Sequence, residues 1–354
     1  MELYIPAEFE HKCGYIDKYG KWIIKPQFDW TGQFRENGLA VVELSGKWGY
    51  IDIIGKIVIN PQFNYADNFA ENDLAIASLN YKYGYIDKTG KWVITPQFDK
   101  VWKFAENGLA LVRLHGKCGY IDETGNWVIP PRYGLAGNFP ENGFAVVKLR
   151  GKYGFIDKTG NLVIAPQFED VWDFKNGFAC VELNGKWGYI DKSGDWVIPP
   201  QFDWNGDFTK NGLACVRLNG KWGYIDTTGK WVITPQFDDA VKFTGIGLAK
   251  VKLNDKWGYI DKSGNWVISP QFDYAEYCFA ENGLTNVKLN GKWGCIDKTG
   301  NMVVNPQYDN VRIFKNTIFF KQNGKWGIID EKGNIVVKPQ FDWVVDKSSE
   351  LDLY

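Results

Sequence analysis

Lys186-Trp187-Gly188-Tyr189-Ile190-Asp191, KWGYID in one-letter code, decides how this chain is read, because it returns. The same six residues start again at Lys47, Lys221 and Lys256, and close variants start at Lys12, Lys82, Lys117, Lys152, Lys292 and Lys325. The ten starts lie 33 to 36 residues apart, a spacing typical of solenoid, propeller and array repeats. Outward from the motif the rest of the unit recurs too: KTG or KSG, then NWVI, then PQFD, a variable stretch, NGLA, and an alternating VVKLNG that runs into the next Lys. Units begin near residues 3, 39, 74, 109, 144, 178, 213, 248, 284 and 317, so residues 1–354 read as a single array.

Within a unit, Ala249 to Leu253 reads AKVKL, the two-residue period of a strand with one face buried. Ala249, Val251 and Leu253 are expected to point inward, and the solvent side carries Arg113, Lys148, Arg217, Lys252 and Lys288 with Glu43 and Glu182 among them. Asn184-Gly185 and Asn219-Gly220 then predict a tight hairpin turn. The motif strand follows, and its repeated Gly predicts that a backbone or ring packs closely over it. Asp191 to Gly194, DKSG, reads as a turn opened by Asp and closed by Gly. A third strand, Trp196 to Ile198, is expected to stop at Pro199 and Pro200, and a connector of about a dozen residues follows.

The words KWG and WG, here Trp48-Gly49, Trp187-Gly188, Trp222-Gly223, Trp257-Gly258, Trp293-Gly294 and Trp326-Gly327, resemble the bacterial WG (KWG) repeat. The resemblance covers roughly residues 3 to 345; Cys13, Tyr83, Cys118 and Tyr153 depart from it at the Trp. It implies a β-rich repeat protein and brings no catalytic residues or substrate with it. A single three-stranded meander has too little apolar face to stand alone, so copies must stack to bury a continuous core. The fold class expected is therefore all-β: ten three-stranded antiparallel meanders in an open β-solenoid or superhelix, with a β-propeller as the alternative. Two observations favour the open array. Tyr4 to Glu10 aligns with Leu39 to Ser45, so no strand is left over to close a ring, and ten blades exceed the usual four to eight.

Charge and motifs narrow the function. Across 354 residues, 41 Lys and Arg balance 42 Asp and Glu, interspersed, which argues against a nucleic-acid footprint. No stretch approaches the length of a membrane span, and Met1 to His11 reads MELYIPAEFEH, with no signal peptide, so a cytoplasmic location is expected. The Asp of each YID, from Asp17 to Asp330, is the strongest metal or acid–base candidate, but its D-x-x-G spacing predicts a turn role. The six cysteines form no CxxC pair or Cys–His cluster; Cys180 and Cys215 fall at one outward strand position of adjacent units. His11 and His115 fall at turn tips, poor places for a general base. No enzyme, cofactor or metal is expected.

Aromatic residues, 16% of the chain with 17 Trp, divide into three columns. The Trp of KWG and the Trp of WVI (Trp22, Trp92, Trp127, Trp196, Trp231, Trp266) recur as core positions would. The third column follows PQFD and varies between units: Trp30, Tyr65, Trp102, Trp172, Trp204, Tyr274 and Trp343. Because it varies, it is expected to be exposed and to bind a partner. The expected function is a scaffold for protein–protein interaction, with self-association through sheet edges open; the alternative is a carbohydrate or cell-envelope module. Unit four, with Pro131-Arg132-Tyr133-Gly134 in place of PQFD, and the unit that begins near residue 317, with Ile318-Phe319-Phe320, depart from the pattern.

Overall fold

A computed structural model describes residues 4–140, 143–277, 279–314 and 317–344. Every regular element among them is a β-strand. The chain divides into two compact units: Met1–Asn80 with Ile86–Lys91 and Gln271–Tyr354, and Tyr81–Tyr85 with Trp92–Pro270.

The hairpin predicted at the motif is present. Ala179–Leu183 pairs antiparallel with Lys186–Ile190, and Asn184 and Gly185 between them both take positive φ, 55° and 71°. That is the left-handed pair a two-residue turn needs if it is to match the twist of its strands. The third strand is longer than expected. Trp196–Phe202 runs through Pro199 and Pro200, because it is an edge of its sheet, where a missing N–H is tolerated. Its register against the motif strand slips between Trp187 and Tyr189, and the bulge brings its backbone over Gly188. A Cβ there would meet the carbonyl oxygen of Ile198 at 2.6 Å and the nitrogen of Pro200 at 2.8 Å, so only Gly fits.

The largest departure from expectation lies in the connector. Just after PQFD, two residues pair with the next repeat's hairpin: Trp30–Thr31 with Glu43 and Val42, Trp204–Asn205 with Arg217 and Val216. Each sheet thus has four strands, the short one lent by the preceding repeat, and among the described residues there are ten such sheets. The first sheet takes its fourth strand from the far end of the sequence, where Val344 and Trp343 pair with Ala7 and Glu8. That pairing overturns the open solenoid of three-stranded meanders. Four-stranded antiparallel blades, the first completed by the last repeat, make the fold a ten-bladed β-propeller. The expectation that no strand was left over failed because a two-residue strand has no periodicity to read.

Burial follows from blades packing on both faces. Ala249, Lys250 and Val251 are all buried, and Leu253, expected inside, is only half-buried. The core joins consecutive repeats: Tyr189, Ile198 and Phe202 cluster with Ala214, Val216 and Ile225 of the next. The motif Tyr is its centre. Tyr189 is fully buried, and its hydroxyl donates to the carbonyl of Gly206, 17 residues on, at 2.8 Å; Tyr15 and Tyr224 bond Gly32 and Val241 in the same way. The two irregular units fit this frame. Tyr133 is buried where most other repeats place Phe, as Tyr308 also is, and Arg132 donates to the Gly160 carbonyl at 2.7 Å. Ile318, Phe319 and Phe320 are all buried in the core.

Candidate partner-binding face

The short strand positions the variable aromatics. Trp30, Tyr65, Trp204, Tyr274 and Trp343 are its first residue. Trp102 and Trp172 stand two residues later, immediately past Val101 and Val171. Strand side chains alternate, so first and third positions share a face, and the single column read from sequence is two registers of it. The two positions compensate in size. After Trp30 and Trp204 the third is Gly, though after Trp343 it is Val345: a Cβ on Gly206 would meet Trp204 Cζ3 at 3.2 Å, and one on Gly32 would meet Trp30 at 3.3 Å. Where the third is Trp, the first is Lys100 or Asp170. The third position after Trp343 lies outside the described residues.

These rings pack on the motif Trp. Trp30 lies 5.1 Å from Trp48, which lies 5.4 Å from Tyr65. Trp172 meets Trp204 at 6.0 Å and 84°, and Trp204 meets Trp222 at 5.0 Å; Tyr274 sits 5.3 Å from Trp293. Trp172 and Tyr274 are exposed, at 42% and 39%, and the other five column residues are half-buried. The core placement expected for both regular Trp columns therefore needs correction. Trp187 and Trp326 are buried, but Trp48, Trp222 and Trp293 are half-buried beside the variable rings, and Trp257 is half-buried under the ammonium of Lys250. The WVI Trp stands on the edge strand; Trp127, Trp196 and Trp266 are exposed and lean edge-on against Phe98, Phe168 and Phe237 of the preceding repeat.

The face is also wired by charge. Lys186 bonds Asp203 of its own repeat at 2.6 Å, and the other oxygen of Asp203 accepts the N–H of Gly220 in the next hairpin turn. Lys221, Asp238 and Asn254 repeat the arrangement, as do Lys12, Asp29 and Ser45. The hydrogen bond from Lys186 holds the Asp203 carboxyl below its usual range. Cations of the strand expected to be a plain solvated face lie over rings: Lys148 over Tyr153 at 4.4 Å, Lys288 over Trp293 at 5.9 Å and Lys321 over Trp326 at 5.8 Å.

The catalytic and metal candidates are engaged in structure. Asp297 Oδ1 accepts the N–H groups of Thr299 and Asn301, and the Thr299 hydroxyl bond draws its pKa down to about 2. His115 takes φ 50° in its turn. Cys180 and Cys215 are buried, not outward, and burial pushes both thiols well up; Cys278 lies outside the described residues. Beside Cys180, Lys175 bonds Asp207 at 2.8 Å. Burial raises the neighbouring Asp173 carboxyl to about 6, with Asp207 adding to the rise against Lys175. Sequence reading found none of this group, because the short strand that sets its positions was itself unread.

Comparison with known proteins agrees with the blades. The family model described as WG containing repeat matches ten times, at residues 14–48, 48–83, 83–118, 119–153, 153–187, 187–222, 222–257, 257–293, 293–326 and 326–346. No curated protein matches the sequence. Among solved structures, the chain is similar to one titled as the eukaryotic initiation factor, at 12% identity and TM-score 0.52, covering 98% of this chain and 97% of that one; at that identity the likeness is one of fold. Hsv2p of Kluyveromyces lactis aligns at 10% identity and TM-score 0.38, over 66% of this chain and 92% of its own.

Proposed function

We propose, from the premise that this chain belongs to the WG repeat family, that it is a non-enzymatic scaffold whose short-strand aromatics hold a protein partner. One observation carries the reading. The variable rings stand in preassembled ladders, tilted in Trp30–Trp48–Tyr65 and edge-to-face in Trp172–Trp204–Trp222, part exposed and part packed. Rings already held in place lose little entropy when a partner covers them, which is what makes Trp and Tyr strong interface anchors. Similar sites at repeat intervals let weak contacts add. The non-enzymatic part rests on the buried, weakly acidic thiols and on the turn-bound Asp.

Cross-linking capture followed by mass spectrometry, compared between wild type and the paired variants Trp172→Ala/Trp204→Ala and Trp30→Ala/Tyr65→Ala, tests it. A protein partner held by the wild type is expected to be lost or weakened in one pair. A glycan-array signal lost in the same variants, with no protein captured, would replace the scaffold by a carbohydrate module.

A further inference from the structure

Two carboxylates face each other beside the Trp172 ladder. Asp170, on the short strand Asp170–Val171, is in register with Glu182 on the hairpin strand Ala179–Leu183. Equivalent pairs elsewhere are matched or neutral, as Asp239 with Lys252, Leu135 with Lys148, Tyr274 with Lys288 and Asn310 with Lys321, except Lys100 with Arg113, where two cations meet; among the described residues Asp170 with Glu182 is the pair of two acids. Like charges directly opposite disfavour the sheet, and among the described residues no cation bonds either acid. The Asp170 side chain reaches only the N–H of Val171.

The exposed ring alongside, Trp172, has no cation over it among the described residues, although Arg217 stands in register with Trp204 and Trp222 of the next repeat. Lys148, Lys288 and Lys321 stand at the hairpin-strand position of Glu182 and lie over the motif ring of their own repeat. In this repeat that place is Glu182, in register with the buried motif ring Trp187, as Glu43 is with Trp48 in the second repeat. No Lys or Arg among the described residues lies over Trp172, Trp204 or Trp222, and Trp172 is 42% exposed. Trp172 shares a strand face with Asp170, since the ladder continues through the Trp172 N–H to the Cys180 carbonyl at 2.9 Å.

We infer that this face, Asp170, Glu182, Trp172 and Trp204, receives an arginine side chain from a segment of the protein partner; the inference rests on the scaffold reading above. Charge complementarity selects the occupant. Several other repeats hold a cation of the chain's own at this position, as Lys148, Lys252, Lys288 and Lys321, and the second holds Glu43 opposite a Trp; here a second acid stands opposite the first, beside the exposed ring of Trp172. A guanidinium suits both, because its planar fork bonds carboxylates while its face stacks on an aromatic ring, and a lysine ammonium does the second less well.

The test is calorimetric titration of the full chain with hexa-arginine amide, hexa-lysine amide and hexa-glutamate. Hexa-arginine is expected to bind most tightly and hexa-glutamate not at all. Asp170→Asn/Glu182→Gln is expected to weaken hexa-arginine by about tenfold, the scale of a charge-assisted contact. Trp172→Ala is expected to weaken it less, with Trp172→Phe between. Glu106→Gln/Asp195→Asn removes the same two charges from exposed positions elsewhere and is expected to change affinity less than about twofold. Equal loss in the two charge variants, or equal binding of hexa-lysine and hexa-arginine, overturns the arginine assignment. If partner capture through Trp30 and Tyr65 persists in that case, the scaffold reading stands without it; if capture also fails, the scaffold reading falls.

Discussion

Asp342 accepts the backbone N–H of Glu10 at 3.2 Å across 332 residues of sequence while its other oxygen bonds Lys325. Its own N–H donates to the Glu8 carbonyl at 3.1 Å. The last repeat thus grips the first hairpin as Asp29 grips the second, where the Asp29 N–H meets the Glu43 carbonyl and its carboxylate meets the Ser45 N–H. Ending the chain after Asp342 removes the strand that covers Ala7 and Glu8. Amide exchange at Ala7 and Glu8 is expected to accelerate by about tenfold or more, with exchange at Ala214 to Val216 unchanged. Equal exchange in both chains would mean that the pairing contributes nothing.

Gly188→Ala places a methyl group against the backbone of the bulged strand. That backbone cannot move without breaking its pairing, so a loss of about 2–4 kcal/mol is expected in denaturant unfolding. Gly134→Ala is the control, since a Cβ there meets nothing within 4 Å.

Tyr189→Phe keeps the buried ring and deletes only the hydroxyl that donates to Gly206. The orphaned carbonyl sits at the joint between two blades. A destabilisation of about 1–2 kcal/mol is expected, and a neutral result in urea titration would show that another donor replaces the hydroxyl.

Asp173 predicts a pH dependence. Its folded pKa of about 6 lies above the ordinary 3.8, so the native state holds the proton more tightly than the unfolded chain. Its contribution favours folding below about pH 4 and is lost as pH rises through 6. Asp173→Asn is therefore expected to stabilise the protein above pH 6, by on the order of 2 kcal/mol, and to show no such gain near pH 4. Melting curves across that range check the sign.

Much of this was legible in sequence. The hairpin at Asn184-Gly185, the turn at Asp297 and the close approach over Gly188 each follow from a local rule about one or two residues. The short strand did not, because two residues such as Trp204-Asn205 carry no period, and its pairing partner belongs to the next repeat. Everything that depends on it was hidden with it: the closure by Trp343, the burial of Cys180 and Lys250 on a face expected to be wet, and the opposition of Asp170 to Glu182. The variable aromatics were found but placed in one register, since aligning on PQFD cannot show that Trp172 and Trp204 reach the same face from positions two apart.

Strand lending gives the copies a shared grammar. No blade is encoded by one repeat, so a repeat deleted or duplicated whole still leaves every remaining hairpin a tail to pair with, provided the first and last still meet. The junction between Asp342 and Glu10 uses the same bonds as that between Asp29 and Ser45. The covalent start of the chain is then an arbitrary cut among equivalent joints, and a permuted gene opened at another repeat would specify the same set of blades.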